Sequence, residues 1–321
     1  MGERTLYNKW FSIMGGMGEL RFVDDRGVEA AERIARRAMD EAERIERKYS
    51  RFLPGSVISQ INRSAGRTPV AVDAETMELV EAAWRLAEAT CGAFNPLVGV
   101  LRKVWSFRDQ RVPEPAEIEA LMPLLDRRQI GMRNGTIFLR RAGMELDLGG
   151  VGKEYAVDRV AARLREEGVE SAVVNLAGDL ATLGTRGDGR PWKVGVRDPR
   201  AAGTIRFAVR LTGPGGVASS GDYERCFVKD GVRYHHLLDG RTGYPARGLA
   251  STTVVASTAF AAGLAATAAF LLGPEEGLEY LESAAGIEGA LITEAGELRA
   301  TTGMGRCSDL PGSLYGDYST L

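Results

Sequence analysis

Histidine is scarce in this 321-residue chain: there are two, adjacent at His235 and His236, so a His-rich metal site or an HExxH protease has no material. Cysteine is nearly as rare. The three thiols, Cys91, Cys226 and Cys307, are far apart, odd in number and without a C-x-x-C pair, which argues against a disulfide framework or a zinc knuckle and for free thiols. Charge of one sign is missing as well. A formal net charge of -2 offers nothing to condense onto a phosphate backbone or an anionic bilayer, so neither nucleic acid nor membrane is expected as a partner. No apolar run approaches the ~20 residues that span a bilayer, and the opening MGERTLYNKWFSIMGGMGEL has neither a continuous apolar core nor a small-residue cleavage site. The expectation is a soluble, cytoplasmic protein, with an exported form if a leader precedes the sequence given. Its chemistry must rest mainly on carboxylates, hydroxyls, lysine and backbone.

What is present suits a large core. With hydrophobic residues at 44% and charged residues at 26%, the chain can form one domain or two intertwined halves. From Val28 to Tyr49 the apolar positions step by threes and fours, which predicts an amphipathic helix. A second is predicted from the N-cap Asp73 to the stop at Gly92, a short one from Pro115 to Met122, and another from near Lys153 to Gly168. Asn134-Gly135 and Asp230-Gly231 each lie between apolar runs and predict type I′ hairpins. SAVVNL, WKVGV, IRFAVRL, VASS and STTVVAS read as strands. Residues 257–272, STAFAAGLAATAAFLL, are alanine-rich and read as a buried helix, followed by a helix after Pro274 and a last hairpin in ALITEAGELRATT. Helices and hairpins interspersed in this way predict an α+β fold, with antiparallel or mixed sheets and helices packed on them. Residues 1–303 form the expected domain and 304–321 a tail without periodicity, expected to fray.

Two stretches look like chemistry. ELDLGGVGKEYAVD, residues 145–158, is a strand leading through glycines into a helix, where exposed N–H groups and Lys153 could meet an anion. It is not a Walker loop, since Asp147 stands where the first glycine belongs and Glu154 follows the lysine; a plain strand-to-helix turn is the alternative. VASSGDYER, residues 217–225, and YHHLLDGRTGYP, residues 234–245, gather hydroxyls, carboxylates and the histidine pair near a predicted hairpin. Simple turn formation would use the same residue types.

Together these segments resemble the ApbE family of flavin transferases, which cleave FAD and attach FMN to a threonine of a target protein. SRFLPGSVISQIN (50–62) is similar to the family's S-x-(F/Y)-x-x-x-S-x-(L/I)-x-x-(I/L)-N, and CGAFNPLVGVLRKVWSF to its Gly-Ala-Phe-Asp-Pro stretch. DLGGVGKEYAVD and VVNLAGDL resemble D-L-G-G-(I/V)-A-K-G-Y-A-V-D and N-L-G-G-D, and SSGDYERCF, HHLLDGRTGYP and the helix with Thr267 complete the series in order. The resemblance implies an ApbE-like, T-fold-like architecture, FAD as substrate or ligand, and an acceptor flavoprotein with a threonine site. It implies catalytic roles for His236, Asp222 and Lys153. Asn62, Gly149, Gly150, Lys153, Asp179, Ser220, Gly221, Asp239, Thr242 and Gly243 would hold the flavin nucleotide, while Asp158 would cap its own loop.

The family's A-D-x-x-A-T helix holds magnesium through its aspartate and threonine. Here the segment reads Ala262-Gly263-Leu264-Ala265-Ala266-Thr267, so Thr267 and the backbone carbonyl of Gly152 are the implied ligands and the carboxylate is missing. If that loss limits the site, Gly263→Asp is expected to restore it. Further departures are Glu154 for glycine, Gly152 for alanine, Ala177 for glycine, Asn95 for aspartate, Leu97 for threonine, Gly240 for proline, and Gly16 where M-G-T has its threonine. Three readings stay open: a transferase, a flavin binder without turnover, and an FAD pyrophosphatase.

Overall fold

The structure, a computed structural model, describes residues 4–310. Two nine-residue strands, β1 (Thr5–Ile13) and β2 (Gly16–Asp24), pair antiparallel around Met14 and Gly15, both at positive φ. The predicted amphipathic helix follows as α1 (Val28–Tyr49), its three-and-four spacing burying Ala31, Ile34, Ala35, Ala38, Ala42 and Ile45. Next come α2 (Val57–Arg63), capped by the Ser56 side chain, β3 (Val70–Ala71), and α3 (Ala74–Ala89), capped by Asp73. A short helix α4 (Pro115–Leu121) precedes the hairpin of β4 (Ile130–Arg133) and β5 (Thr136–Leu139). Its turn residues Asn134 and Gly135 are both left-handed, as a type I′ turn requires.

The second half supplies α5 (Gly152–Glu166), β6 (Ala172–Leu176), β7 (Asp179–Leu183), β8 (Trp192–Arg197), β9 (Ile205–Leu211) and β10 (Gly215–Gly221). These are followed by β11 (Cys226–Lys229), β12 (Val232–His235), β13 (Leu249–Ala256), α6 (Ala259–Leu272), α7 (Pro274–Ser283), β14 (Glu288–Thr293), β15 (Leu298–Ala300) and α8 (Met304–Cys307). Among the described residues the main sheet has eight strands in the order β1-β2-β6-β7-β10-β13-β14-β15, every neighbouring pair antiparallel. The α+β expectation holds.

Alternation along the strands builds two layers on this sheet. Ala172, Val174 and Leu176 of β6 face the helices, sharing a core with Ile34, Val157, Val160 and Phe270. Val173 points the other way, into a second core with Trp192, Phe207, Val209 and Val217 from the β8–β9 ribbon and its surroundings. Full burial of a side chain such as Phe22 or Phe270 contributes about 2–3 kcal/mol. The stretch 304–310 does not fray: Met304 and Leu310 are buried in the second core, and the Ala208 N–H donates to Asp309 Oδ1 at 2.6 Å. The rest of the expected tail, 311–321, lies outside the described residues.

Helices α5 and α6 lie side by side, and one carboxylate fixes how. Asp158 of α5 accepts hydrogen bonds from the Ala259 and Phe260 N–H groups at 2.9 and 2.8 Å. It therefore caps the neighbouring helix α6, where two first-turn donors lack intrahelical partners, and not its own loop.

Candidate active site

A cleft of 1290 Å³ opens at the start of α5. Its wall takes in the glycine turn 148–152, the ends of β6 and β10, the β8 strand, and residues 50–53 and 236–238. That exceeds the ~300–1,000 Å³ usual for one small ligand.

The glycine turn is held from both sides. Gly149 donates its N–H to Asp147 Oδ1 at 2.9 Å, and Asp147 is in turn paired with Arg51 at 3.0 Å and Arg102 at 3.3 Å. Gly150, at φ 81, lies so close to α6 that a Cβ there would sit 3.4 Å from Thr267 Oγ1. The Thr267 hydroxyl also meets Ser220 Oγ of β10 at 3.1 Å. A turn without side chains therefore brings backbone groups beside two hydroxyls from distant elements.

Lys153, on the first turn of α5, reaches Asp179 Oδ2 at 2.7 Å. Burial alone would lower the lysine's pKa, but Asp179 and Glu154 beside it leave the ammonium above its ordinary value. Glu154 is 5% exposed, and its Oε2 has no hydrogen-bond partner among the described residues. Burial, with Asp179 close by, pushes its carboxyl above the usual range. Its methylene chain lies against Gly263: a Cβ built on Gly263 would stand 2.1 Å from Glu154 Cγ. Gly263→Asp alone therefore requires the Glu154 side chain to move.

His236 lines the cleft, and its Nδ1 has no partner among the described residues. Burial, then Arg225, His235 and Arg102, bring its pKa down to about 3, so the ring is neutral near pH 7. Its neighbour His235 points away, bonded through Nε2 to the Ala246 carbonyl at 2.9 Å and edge-on to Phe270.

Of the residues singled out in the sequence, Lys153, His236, Gly149, Gly150, Gly152, Ser220, Gly221 and Thr267 all stand in the cleft wall. Asp179 sits just behind it as the partner of Lys153, and Ser219 N–H donates to its other oxygen at 3.3 Å. Asp222 is 1% exposed and outside the wall, with both carboxylate oxygens held at 2.6 Å by Arg200. Asn62 pairs its amide with the backbone of Leu146 at 2.7 and 2.9 Å, pinning the irregular segment that leads to the glycine turn, where the expected strand does not form. Asp239 binds Arg241 and accepts the Arg241 N–H at 2.8 Å, closing a tight loop through Thr242 and Gly243. That loop packs on Ile118 of α4 through Gly243. Sequence reasoning passed over Trp192, which lines the cleft and whose Nε1 has no partner among the described residues, and Arg102, the cation beside Asp147. No local pattern marks either, since Trp192 acts from an ordinary strand and Arg102 from a short 3-10 helix.

Residues 14–292 match the ApbE family. This chain belongs to the ApbE family. It is 36% identical over 267 residues to an FAD:protein FMN transferase of Treponema pallidum, covering 78% of this chain and 74% of that one. It is 35% identical over 244 residues to an FAD:protein FMN transferase of Klebsiella pneumoniae, covering 74% and 75%. Among solved structures, the ApbE protein of Thermotoga maritima superposes with a TM-score of 0.83 at 33% identity, over 92% of this chain and 97% of that one. The flavin transferase ApbE of Vibrio cholerae gives 0.84 at 25% identity, over 95% and 100%. The ApbE fold expected from the motifs is the fold observed.

Proposed function

We propose that this chain is an FAD:protein FMN transferase: it takes FAD and an acceptor protein, and releases AMP. The observation that carries the reading is the convergence of Lys153, the glycine turn, Thr267, Ser220 and a neutral His236 on one cleft of 1290 Å³, in a chain whose relatives carry that name. The acceptor group is the hydroxyl of a threonine. Its oxygen forms a bond to the FMN-side phosphorus of FAD, the bond from that phosphorus to the bridging oxygen breaks, and AMP leaves with that oxygen. The hydroxyl proton goes to a base.

His236 is the base this geometry favours over Asp222. A neutral ring in the cleft wall keeps a lone pair with which to take the hydroxyl proton, whereas both oxygens of Asp222 already hold a guanidinium. Lys153 and the amides of the glycine turn would stabilise charge on the phosphoryl oxygens. The residues that would hold magnesium offer oxygen and line the same cleft: Glu154 and the carbonyl of Gly152 on α5, and Thr267 on α6. A bound magnesium ion would neutralise pyrophosphate charge.

Chromatographic assay of AMP from FAD and magnesium, with and without a threonine-bearing acceptor protein, tests the reading. Release that requires the acceptor supports the transferase. AMP without acceptor would mean a pyrophosphatase, and bound FAD with no AMP in either tube would mean a binder.

A further inference from the structure

We propose that Glu154 of α5 supplies the carboxylate of a divalent-cation site at the α5–α6 junction, reaching from the opposite helix into the space a side chain at position 263 would fill. The inference rests on the transferase reading only for what the cation does; the site itself is read from this chain's packing.

Three independent observations lead there. First, the space is shared: a Cβ on Gly263 would lie 2.1 Å from Glu154 Cγ and 3.0 Å from its Cδ, so one side chain can occupy it and Glu154 does. Second, Glu154 is buried in the cleft wall, and its Oε2 meets no hydrogen-bond donor among the described residues, its polar neighbour being the Asp179 carboxylate. An orphaned buried carboxylate oxygen costs far more than a paired one, and a hard cation is a partner that would satisfy it. Third, the ammonium of Lys153 is bonded to Asp179 at 2.7 Å, and the other side-chain groups at this junction, Thr267 and Ser220, are neutral hydroxyls bonded to each other at 3.1 Å.

The helix pairing explains how a carboxylate can change helices without moving its charge. Asp158 binds the first-turn amides of α6 at Ala259 and Phe260. One turn earlier on α5 is Glu154, and one turn later on α6 is Gly263. The same seam that Asp158 fixes thus sets Glu154 opposite the glycine, and glycine is what gives the glutamate its room.

The test is Mn2+ binding to the full chain, followed by the electron paramagnetic resonance of free Mn2+, for the wild type, Glu154→Gln and Glu154→Gly/Gly263→Asp. Since loss of even an outer-sphere partner costs ~10–100-fold in metal affinity, Glu154→Gln is expected to weaken Mn2+ binding by at least ~10-fold. The double variant is expected to regain most of it. Thermal melting and FAD fluorescence check that each variant is folded, and Gln keeps the glutamate's shape. Wild-type affinity in Glu154→Gln, or no Mn2+ binding by the wild type, overturns the proposal, because Glu154 and Asp179 would then simply share a proton. A double variant that is folded but no tighter than Glu154→Gln also overturns it. A wild type that binds Mn2+ through Glu154 but releases no AMP would contradict the transferase reading alone.

Discussion

Gly16 and Ala177 touch: a Cβ built on Gly16 would lie 2.9 Å from the Cβ of Ala177. Both positions depart from the family's motifs, one by losing a side chain and the other by gaining one. The same reciprocity joins Glu154 to Gly263, where a Cβ would lie 2.1 Å from Glu154 Cγ; Asn95 and Gly240 are also neighbours, a Cβ at Gly240 standing 2.5 Å from Asn95 Cβ. Asn95 also donates through Nδ2 to the Leu125 carbonyl at 2.8 Å, a bond that an ionised aspartate could not make. At Gly16/Ala177 and Glu154/Gly263, positions far apart in the sequence share one space in the fold.

Coupling at the first pair follows from this contact. Ala177 is left-handed, at φ 49, a conformation that costs a residue with a Cβ roughly 1–2 kcal/mol. Gly16→Thr alone is expected to destabilise by about 1–3 kcal/mol through overpacking, and by less when Ala177→Gly is present. A double-mutant cycle in urea should give a coupling of ~0.5–3 kcal/mol; strictly additive effects would show that the two positions are indifferent to each other.

Asp222 and His236 should separate by readout. Asp222→Asn leaves the Arg200 and Arg233 guanidiniums without their carboxylate. It is expected to cost about 2 kcal/mol, below the ~3–5 kcal/mol of a fully buried pair because both arginines are about a third exposed. Its folded fraction should keep most of the turnover. His236→Gln should instead lower kcat by ~10²–10⁴-fold with little change in melting temperature. The reverse pattern would assign the proton to Asp222.

The histidine pair predicts a pH dependence of stability. Burial holds both rings below the ordinary histidine value, His236 at about 3, so between that value and 6.5 the unfolded chain binds more protons than the folded one. Stability from these groups is complete above pH 6.5 and is lost as pH falls towards 3. His236→Gln should therefore melt less steeply with acidification than the wild type. Parallel melting curves from pH 6.5 to 4 would contradict a neutral, buried imidazole.

Much of the fold could be read in advance because its signals are local. The three-and-four spacing of α1, the Asp73 cap, the left-handed pairs Asn134-Gly135 and Asp230-Gly231, and the alanine run of α6 each act within a few residues. The opening hairpin β1–β2 was not legible, since its strands leave Leu6, Trp10 and Met17 exposed and so lack a clean apolar face. The glycine turn, Lys153 and His236 could be placed because a motif fixed them together. Composition could not tell which way a polar side chain faces: Asn62, Asp222 and Asp239 spend their polar atoms on Leu146, Arg200 and Arg241. Nor could it reveal that Glu154 fills the space beside Gly263, because that contact joins two helices distant in sequence.

The central claim is that this chain moves FMN onto another protein, and intact-mass spectrometry of the acceptor tests it most directly. After incubation with the chain, FAD and magnesium, the acceptor should gain the mass of one FMN, with the addition mapped to a threonine and absent from a Thr→Ala acceptor. An acceptor of unchanged mass beside folded, FAD-bound chain would contradict the account.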